Sequence, residues 1–471
     1  MLLAALATAP AWSAEPLPPV VDPAVLAHIR DAALSSDWAW QRLSDLTDKI
    51  GPRLSGSPQA EAAVAQVAAA LQAEGLAVTL QPAKVPHWVR GEEQAQLVDY
   101  PGRPAGLMQQ LRLTTLGGSV GTPKSGLTAP VLVVHSFDDL QAHAAQAQGH
   151  IVLFDKAFDQ SLADNGQAMT AYGQAVAYRV KGASAAARVG AVAALIRSVG
   201  GADFRLPHTG VMHYEDGAPK IPTAALSAED AMLVARLAAQ GPVQLHLLLT
   251  PQTFPDADSH NVLADLRGSD KPDEVVLVSG HLDSWDLAQG AIDDGGGVTA
   301  AMGAVQLLKS LGLQGRRTIR VVAWMNEENG SGGSKAYFAA NKDHLELQSA
   351  VIESDSGSGH PLGLIASVTP ETLPLLAPVT AALEPIGATA LERRDGEVGA
   401  DIAPLQEAGV PGFAPLVDTR EYFFYHHTAA DTLDKIKPEE FRRQVATMAV
   451  LAYYLAQLPE PLPRVPVKAE Q

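Results

Sequence analysis

The stretch from Glu274 to Val305, EVVLVSGHLDSWDLAQGAIDDGGGVTAAMGAV, limits the fold more than any other part of the chain. Its opening run, dense in Val and Leu, has the pattern of a strand buried on both faces, and it breaks at Gly280 into His281, Leu282 and Asp283. A second acidic pair, Asp293 and Asp294, precedes three glycines and an apolar-periodic segment, Val298 to Leu311, that predicts a helix. Strand, loop and helix in this order form one unit of an open α/β sheet, whose ligands gather outside the strand carboxyl ends. A helix-capping aspartate accounts for one of these acidic residues. A histidine with several carboxylates needs more, because buried carboxylates must be paired, hydrogen-bonded or bound to metal.

The arrangement recurs downstream. The run Thr318 to Trp324 leads into Glu327 and Glu328, then a glycine turn and a helix. Adjacent residues of an extended segment point to opposite sides, so one glutamate is expected to bind metal and the other to handle a proton. A third strand, QSAVIESD, ends at Glu353 and Asp355. The segment EYFFYHHTAADTLDKI then supplies His426, His427 and Asp431, with His427 the candidate ligand and His426 expected at the cavity wall or behind it.

The chain has no cysteine among its 471 residues, so any metal must be held by His, Asp and Glu. Two histidines and three carboxylates suit two divalent ions of the zinc type sharing one bridging carboxylate, while carboxylate-rich donors also accept manganese or cobalt. Such a pair acidifies water and polarises a carbonyl, which is the chemistry of amide or ester hydrolysis. The net charge of -18 argues against a phosphate-binding surface and hence against nucleic acid. No apolar run in the body of the chain is long enough to span a membrane.

Read in order, residues 1–14 carry an apolar stretch followed by small residues, the pattern of a bacterial export leader without its charged n-region, and a periplasmic or secreted location is expected. A helical pattern covers Val25 to Ala39, and Ser57 with Pro58 marks a further helix start. VPHWVRGEE reads as a strand with a half-buried tryptophan. The Gly-, Ser- and Thr-rich stretch TLGGSVGTPKSGLT has the composition of a domain crossing. The expected organisation is a main domain in two parts, 22–115 and 251–460, interrupted by a small α/β module at 116–250 and followed by a mobile tail at 461–471. His135, His143, His150, His208 and His213 of the module have no metal-ligand spacing and read as core or solvated histidines. The fold class is α/β, a doubly wound mixed sheet interrupted by a smaller α/β domain.

HLDSWD, GAIDDGGG, NEENGSGGS, ESDSG and HHTAADT, in this order, resemble the co-catalytic zinc exopeptidases, the family of bacterial double-zinc aminopeptidases and glutamate carboxypeptidase. IGPRLSGS, VPHWVRGE, LGGSVGTP and KIPTAALS place the likeness nearest to its plasma glutamate carboxypeptidase branch. The resemblance implies that the module is a protease-associated domain and that two zinc ions act on a peptide substrate. By that resemblance Asp293 bridges both metals, Glu328 and His427 complete one site, and His281 and Asp355 complete the other. Glu327 is then the general base, and Asp283 hydrogen-bonds His281 and fixes its tautomer. Asp294 stands where some relatives have Asn, which makes it the other candidate for the bridge.

The expected activity is hydrolysis of dipeptides or short peptides, with a homodimer allowed for. Arg393 and Arg394 are candidates for a substrate carboxylate; Glu353 and Glu397 are candidates for an α-amine if the enzyme trims from the amino end. Single-zinc glutaminyl cyclisation and a non-catalytic binding ectodomain are remoter readings, which the complete ligand set opposes.

Overall fold

The computed structural model describes residues 20–201 and 204–467, so the expected leader at 1–14 lies outside the described residues. Two eight-stranded mixed sheets organise the chain. The first, in spatial order, runs Ala77–Val89, Gln252–Leu266, Arg317–Trp324, Lys271–His281, Gln348–Glu353, Gly412–Val417, Pro361–Ser367 and Ala390–Arg393. Its three central site-bearing strands are designated β1 (Lys271–His281), β2 (Arg317–Trp324) and β3 (Gln348–Glu353).

β1 is parallel to both β2 and β3, with His281 opposite Trp324 and Ser279 opposite Glu353. The carboxyl ends of the three strands therefore lie side by side. Val275 to Val278 is buried throughout, as a strand covered on both faces requires. The helices Gly296–Ser310 and Pro438–Gln457 pack together over this sheet, and their apolar faces join one core with the strand interiors. At Gly297 a Cβ would lie 1.9 Å from the Ser354 carbonyl oxygen, so only glycine lets the helix start reach the end of β3.

The second sheet holds Gln109–Leu111, Glu93–Asp99, Gln244–Leu249, Leu127–Val134, Ile151–Phe154, Ala193–Arg197, Thr223–Leu226 and Leu113–Thr115. Its strands begin at Glu93, ahead of the boundary at 116 that composition predicts. The chain crosses between sheets just after Val89 and returns at Gln252. The glycine-rich stretch has a different physical cause: at Gly117 a Cβ would lie 2.1 Å from the Trp285 ring, so this stretch is pressed against the first module.

Two further differences concern the ends. The helical pattern at Val25 to Ala39 is two helices, Pro23–Leu34 and Trp38–Lys49. The tail expected to be mobile is docked as far as it is described: the Val465 amide donates to the Gly409 carbonyl at 3.0 Å, and Leu462 is buried.

Candidate metal centre

The parallel strand ends deliver the donors to one place. His281 closes β1 with its ring fully buried, its Nε2 2.9 Å from Asp293 Oδ1 and 3.5 Å from Asp355 Oδ1. On the other side of the same aspartate, His427 Nε2 lies 3.0 Å from Asp293 Oδ2 and 3.1 Å from Glu328 Oε2. Two triads result, His281–Asp293–Asp355 and Asp293–Glu328–His427, sharing Asp293. Glu327 sits beside them, half-buried, and belongs to neither.

The electrostatics are those of a site built around cations. Burial drives the Glu328 carboxyl up to about 7, aided by the Asp293 charge. Burial, with Asp355, Glu328 and Asp293 nearby, also pushes Glu327 well above the usual carboxylate range. Burial opposes the ionised form of Asp293 as well, but His426, His281 and His427 outweigh it and hold that group well below its ordinary value. Asp293 Oδ2 is buried and accepts no aligned hydrogen bond among the described residues. An orphaned carboxylate oxygen facing imidazole nitrogens, with only N and O donors around it, fits two zinc ions.

The turn that presents Asp293 is held from several sides. Asp431 accepts the amides of Ala291 at 2.9 Å, Ile292 at 2.6 Å and Asp293 at 3.2 Å. Asp294 Oδ2 accepts the His281 amide at 3.0 Å and its Oδ1 accepts the Gly297 amide, also at 3.0 Å. Asp294 thus caps the following helix, and of the two only Asp293 faces both candidate histidine ligands.

Asp283 works differently from the expectation. His281 Nδ1 lies 2.9 Å from the Asp283 main-chain carbonyl, whereas the Asp283 carboxylate is 3.9 Å away. The carboxylate instead accepts the amides of Asn326 at 2.7 Å and Glu327 at 3.1 Å. Leaving β1, the chain carries its own carbonyl back beneath His281, which leaves the side chain to tie β1 to the loop after β2.

Several supporting residues come from segments whose role the sequence left unassigned. Arg53, fully buried, donates to the carbonyls of Leu282, Gln289 and Gly290 and clasps the loop between His281 and Asp293. Arg90 binds Asp286 and also donates to Thr114 Oγ1 and Thr209 Oγ1, so the strand read as ordinary joins the two modules. Trp88, expected half-buried, is buried with Leu54 and Trp285. From the second module, the Thr209 carbonyl lies 3.2 Å from His427 Nδ1, and His208 Nε2 lies 3.0 Å from His426 Nδ1. Their signal in the sequence was the charged residue inside IGPRLSGS and VPHWVRGE; nothing local marked His208.

The other candidates lie apart from the triads. Glu353 accepts the Asp401 amide at 3.2 Å and the Ile402 amide at 2.8 Å. Arg393 pairs with Asp395 and Arg394 with Glu392, while Glu397 is exposed. Two cavities of about 570 and 760 Å³ share Asp164, Ser356, Asp418 and Arg420, and neither is lined by a residue of the triads.

A mixed sheet whose adjacent strand ends carry two N/O triads joined by one carboxylate, with a glutamate left free beside them, defines a co-catalytic metallopeptidase. The comparisons specify it further. The profile of peptidase family M28 matches residues 261–452. The chain is 42% identical over 428 residues to carboxypeptidase Q of Mus musculus, covering 90% of this chain and 87% of that one, and equally to the Homo sapiens protein. The crystal structure of a peptidase M28 precursor from Shewanella amazonensis superimposes with a TM-score of 0.89 at 36% identity, covering 95% of this chain and 99% of that one. A zinc aminopeptidase from Bacillus subtilis, 22% identical over 88% of this chain and 94% of its own, shares the fold at a TM-score of 0.64. The chain belongs to peptidase family M28 and is a zinc metallo-exopeptidase. Among the described residues, no helix is long and apolar enough to cross a membrane.

Proposed function

We propose that the chain hydrolyses dipeptides and other short peptides, in the manner of the carboxypeptidase Q it resembles, with the second module acting as a protease-associated domain. The observation that carries this reading is Asp293, whose two oxygens face the His281 and His427 triads at 2.9 and 3.0 Å. In it, two zinc ions would be held by Asp293 in common, one with Glu328 and His427 and the other with His281 and Asp355. The ions supply the Lewis acidity that acidifies water and polarises the scissile carbonyl. Glu327 takes the proton from the attacking water and returns it to the leaving amine nitrogen.

The cavity of about 760 Å³ lined by Ser356, the residue after Asp355, supplies room for part of a short substrate, with Arg394 on its wall. Trimming from the amino end would need a carboxylate for the α-amine, and Glu353 spends its oxygens on backbone amides. The test is elemental analysis alongside hydrolysis of free dipeptides, amino-blocked dipeptides and amino-acid anilides. Two zinc per chain with cleavage of free dipeptides is expected; preferential anilide cleavage would move the enzyme to the aminopeptidases, and a metal-loaded chain inert on all three would end the reading.

A further inference from the structure

His208 belongs to the second module, yet its ring is buried against the metal centre of the first. Its Nε2 lies 3.0 Å from His426 Nδ1. His426 in turn stacks on the ligand His427, ring centroids 3.7 Å apart and planes within 14°, and its Nε2 lies 3.3 Å from Asp293 Oδ2. A chain of two imidazoles thus runs from the module to the rim of the zinc sites.

The protons on this chain are fixed by what faces each nitrogen. His208 Nδ1 is buried with no hydrogen-bond partner among the described residues. An N–H there would be stranded, at a cost of about 1–3 kcal/mol, whereas a bare nitrogen with a weakly used lone pair costs less. His208 therefore carries its proton on Nε2 and donates to His426 Nδ1. His426 Nδ1 is then the acceptor, which puts the His426 proton on Nε2. That nitrogen faces a carboxylate oxygen, where an N–H is attracted and a lone pair would be repelled. The opposite arrangement, with His426 Nδ1 donating to His208, would strand an N–H at His208 Nδ1 and turn a lone pair toward Asp293.

The Nε2–H of His426 is not consumed by this geometry, because no aligned hydrogen bond reaches Asp293 Oδ2. We propose that His208 is a positioning residue which locks His426 in the Nε2–H tautomer, so that His426 presents a donor at the metal centre to the carbonyl oxygen of the scissile amide. Resting on the peptidase reading above, the proposal gives the second module a part in the chemistry. The module supplies both the group that orients His426 and, through the Thr209 carbonyl, the acceptor that turns His427 Nε2 toward the metal.

The test combines the zinc-loaded wild-type enzyme with two variants. In selectively ¹⁵N-histidine-labelled holoenzyme, long-range ¹H–¹⁵N correlation should show His208 and His426 both protonated at Nε2 and bare at Nδ1, the His426 signals being identified by their loss in His426→Phe. His208→Phe keeps the ring and removes the donor: kcat should fall roughly tenfold, part of the ~10²–10³ lost when an oxyanion donor is deleted outright, while KM and zinc content hold. His208→Gln, whose amide nitrogen replaces Nε2–H, should recover most of that loss. A proton on His426 Nδ1 in the wild type, an unchanged kcat in His208→Phe, or a loss of zinc from it would each overturn the proposal. Should His208→Phe fail to fold, the wild-type tautomers and His208→Gln still decide. A wild-type enzyme that cleaves no peptide would end the peptidase reading and leave the tautomer measurement intact, so the two failures are distinguishable.

Discussion

The Glu327 amide donates to Asp283 Oδ1 at 3.1 Å, so the free glutamate beside the triads is anchored to the strand end that carries His281. The same oxygen takes the Asn326 amide at 2.7 Å, and Asn326 has a positive φ of 76° that reverses the chain into Glu327. Asp283 therefore sets where Glu327 stands without touching the reacting atoms. Asp283→Ala should lower kcat about 10- to 100-fold with zinc content preserved, while Asp283→Asn, which keeps an oxygen acceptor, should lose much less. Steady-state kinetics with metal analysis on both variants checks this.

Glu327→Gln removes the proposed proton acceptor and keeps the shape. Turnover should drop on the order of 10²- to 10⁴-fold with both zinc ions retained. Residual activity within a few-fold of wild type would assign the base elsewhere.

The two neighbouring aspartates should separate cleanly. Asp293→Ala removes the oxygens that face both histidine ligands, and the purified variant should hold less than the full zinc complement. Asp294→Ala removes the cap on the Gly296–Ser310 helix and the acceptor for the His281 amide, so its main effect should be on stability, about 1–2 kcal/mol from the cap. Zinc content against thermal midpoint distinguishes them; a reversal of the two phenotypes would move the bridge to Asp294.

Why the sequence exposed the candidate ligands and hid their supports is a matter of range. His281, Glu327, Glu328 and Asp355 follow Val- and Leu-rich runs, and parallel pairing of β1, β2 and β3 brings their ends together almost automatically. Asp293 could be bracketed with Asp294 but not separated from it, because which aspartate turns inward depends on the Asp431 clasp formed with a loop far along the chain. Arg53, Arg90 and His208 reach partners about 200 residues away, and no local periodicity encodes such a contact. Composition misplaced the module boundary for a related reason: the glycines near 117 answer a close approach to Trp285, a tertiary contact, and not a linker.

Arg53 carries a structural prediction. Its fully buried guanidinium is the partner of the Leu282, Gln289 and Gly290 carbonyls, and burial lowers its pKa against the pull of Asp431 and the other acidic groups. Arg53→Met should destabilise the zinc-loaded protein by on the order of 3 kcal/mol, since those carbonyls lose their donors in a dry environment. Arg53→Lys, with a single ammonium in place of a fork, should rescue little of it. Thermal unfolding of the holoenzymes checks both.

The last prediction follows from the acidity of the metal-free site. Burial raises Glu328, Glu353 and Asp431 to about 7, so between the ordinary values, 4.5 for the glutamates and 3.8 for the aspartate, and that folded value the native chain binds more protons than the unfolded one. His281 and His427 are raised well above their ordinary value, burial being outweighed by the facing carboxylates, and they too bind extra protons when folded. Where the native state holds the excess protons, stability falls as pH rises. His208 and His426, lowered by burial and neighbouring cations, act in the opposite sense below about 6.5 and contribute nothing above it. From about pH 6.5 to 8 every one of these contributions is therefore destabilising as pH rises, and the chelator-treated protein should lose thermal stability across that window. Zinc must displace the protons held by Glu328, His281 and His427, so its stabilisation should grow with pH over the same range and each equivalent bound should release protons measurable in weakly buffered solution. A zinc-induced shift in thermal midpoint that is flat with pH, or metal uptake without proton release, would contradict the assignment of these buried carboxyls.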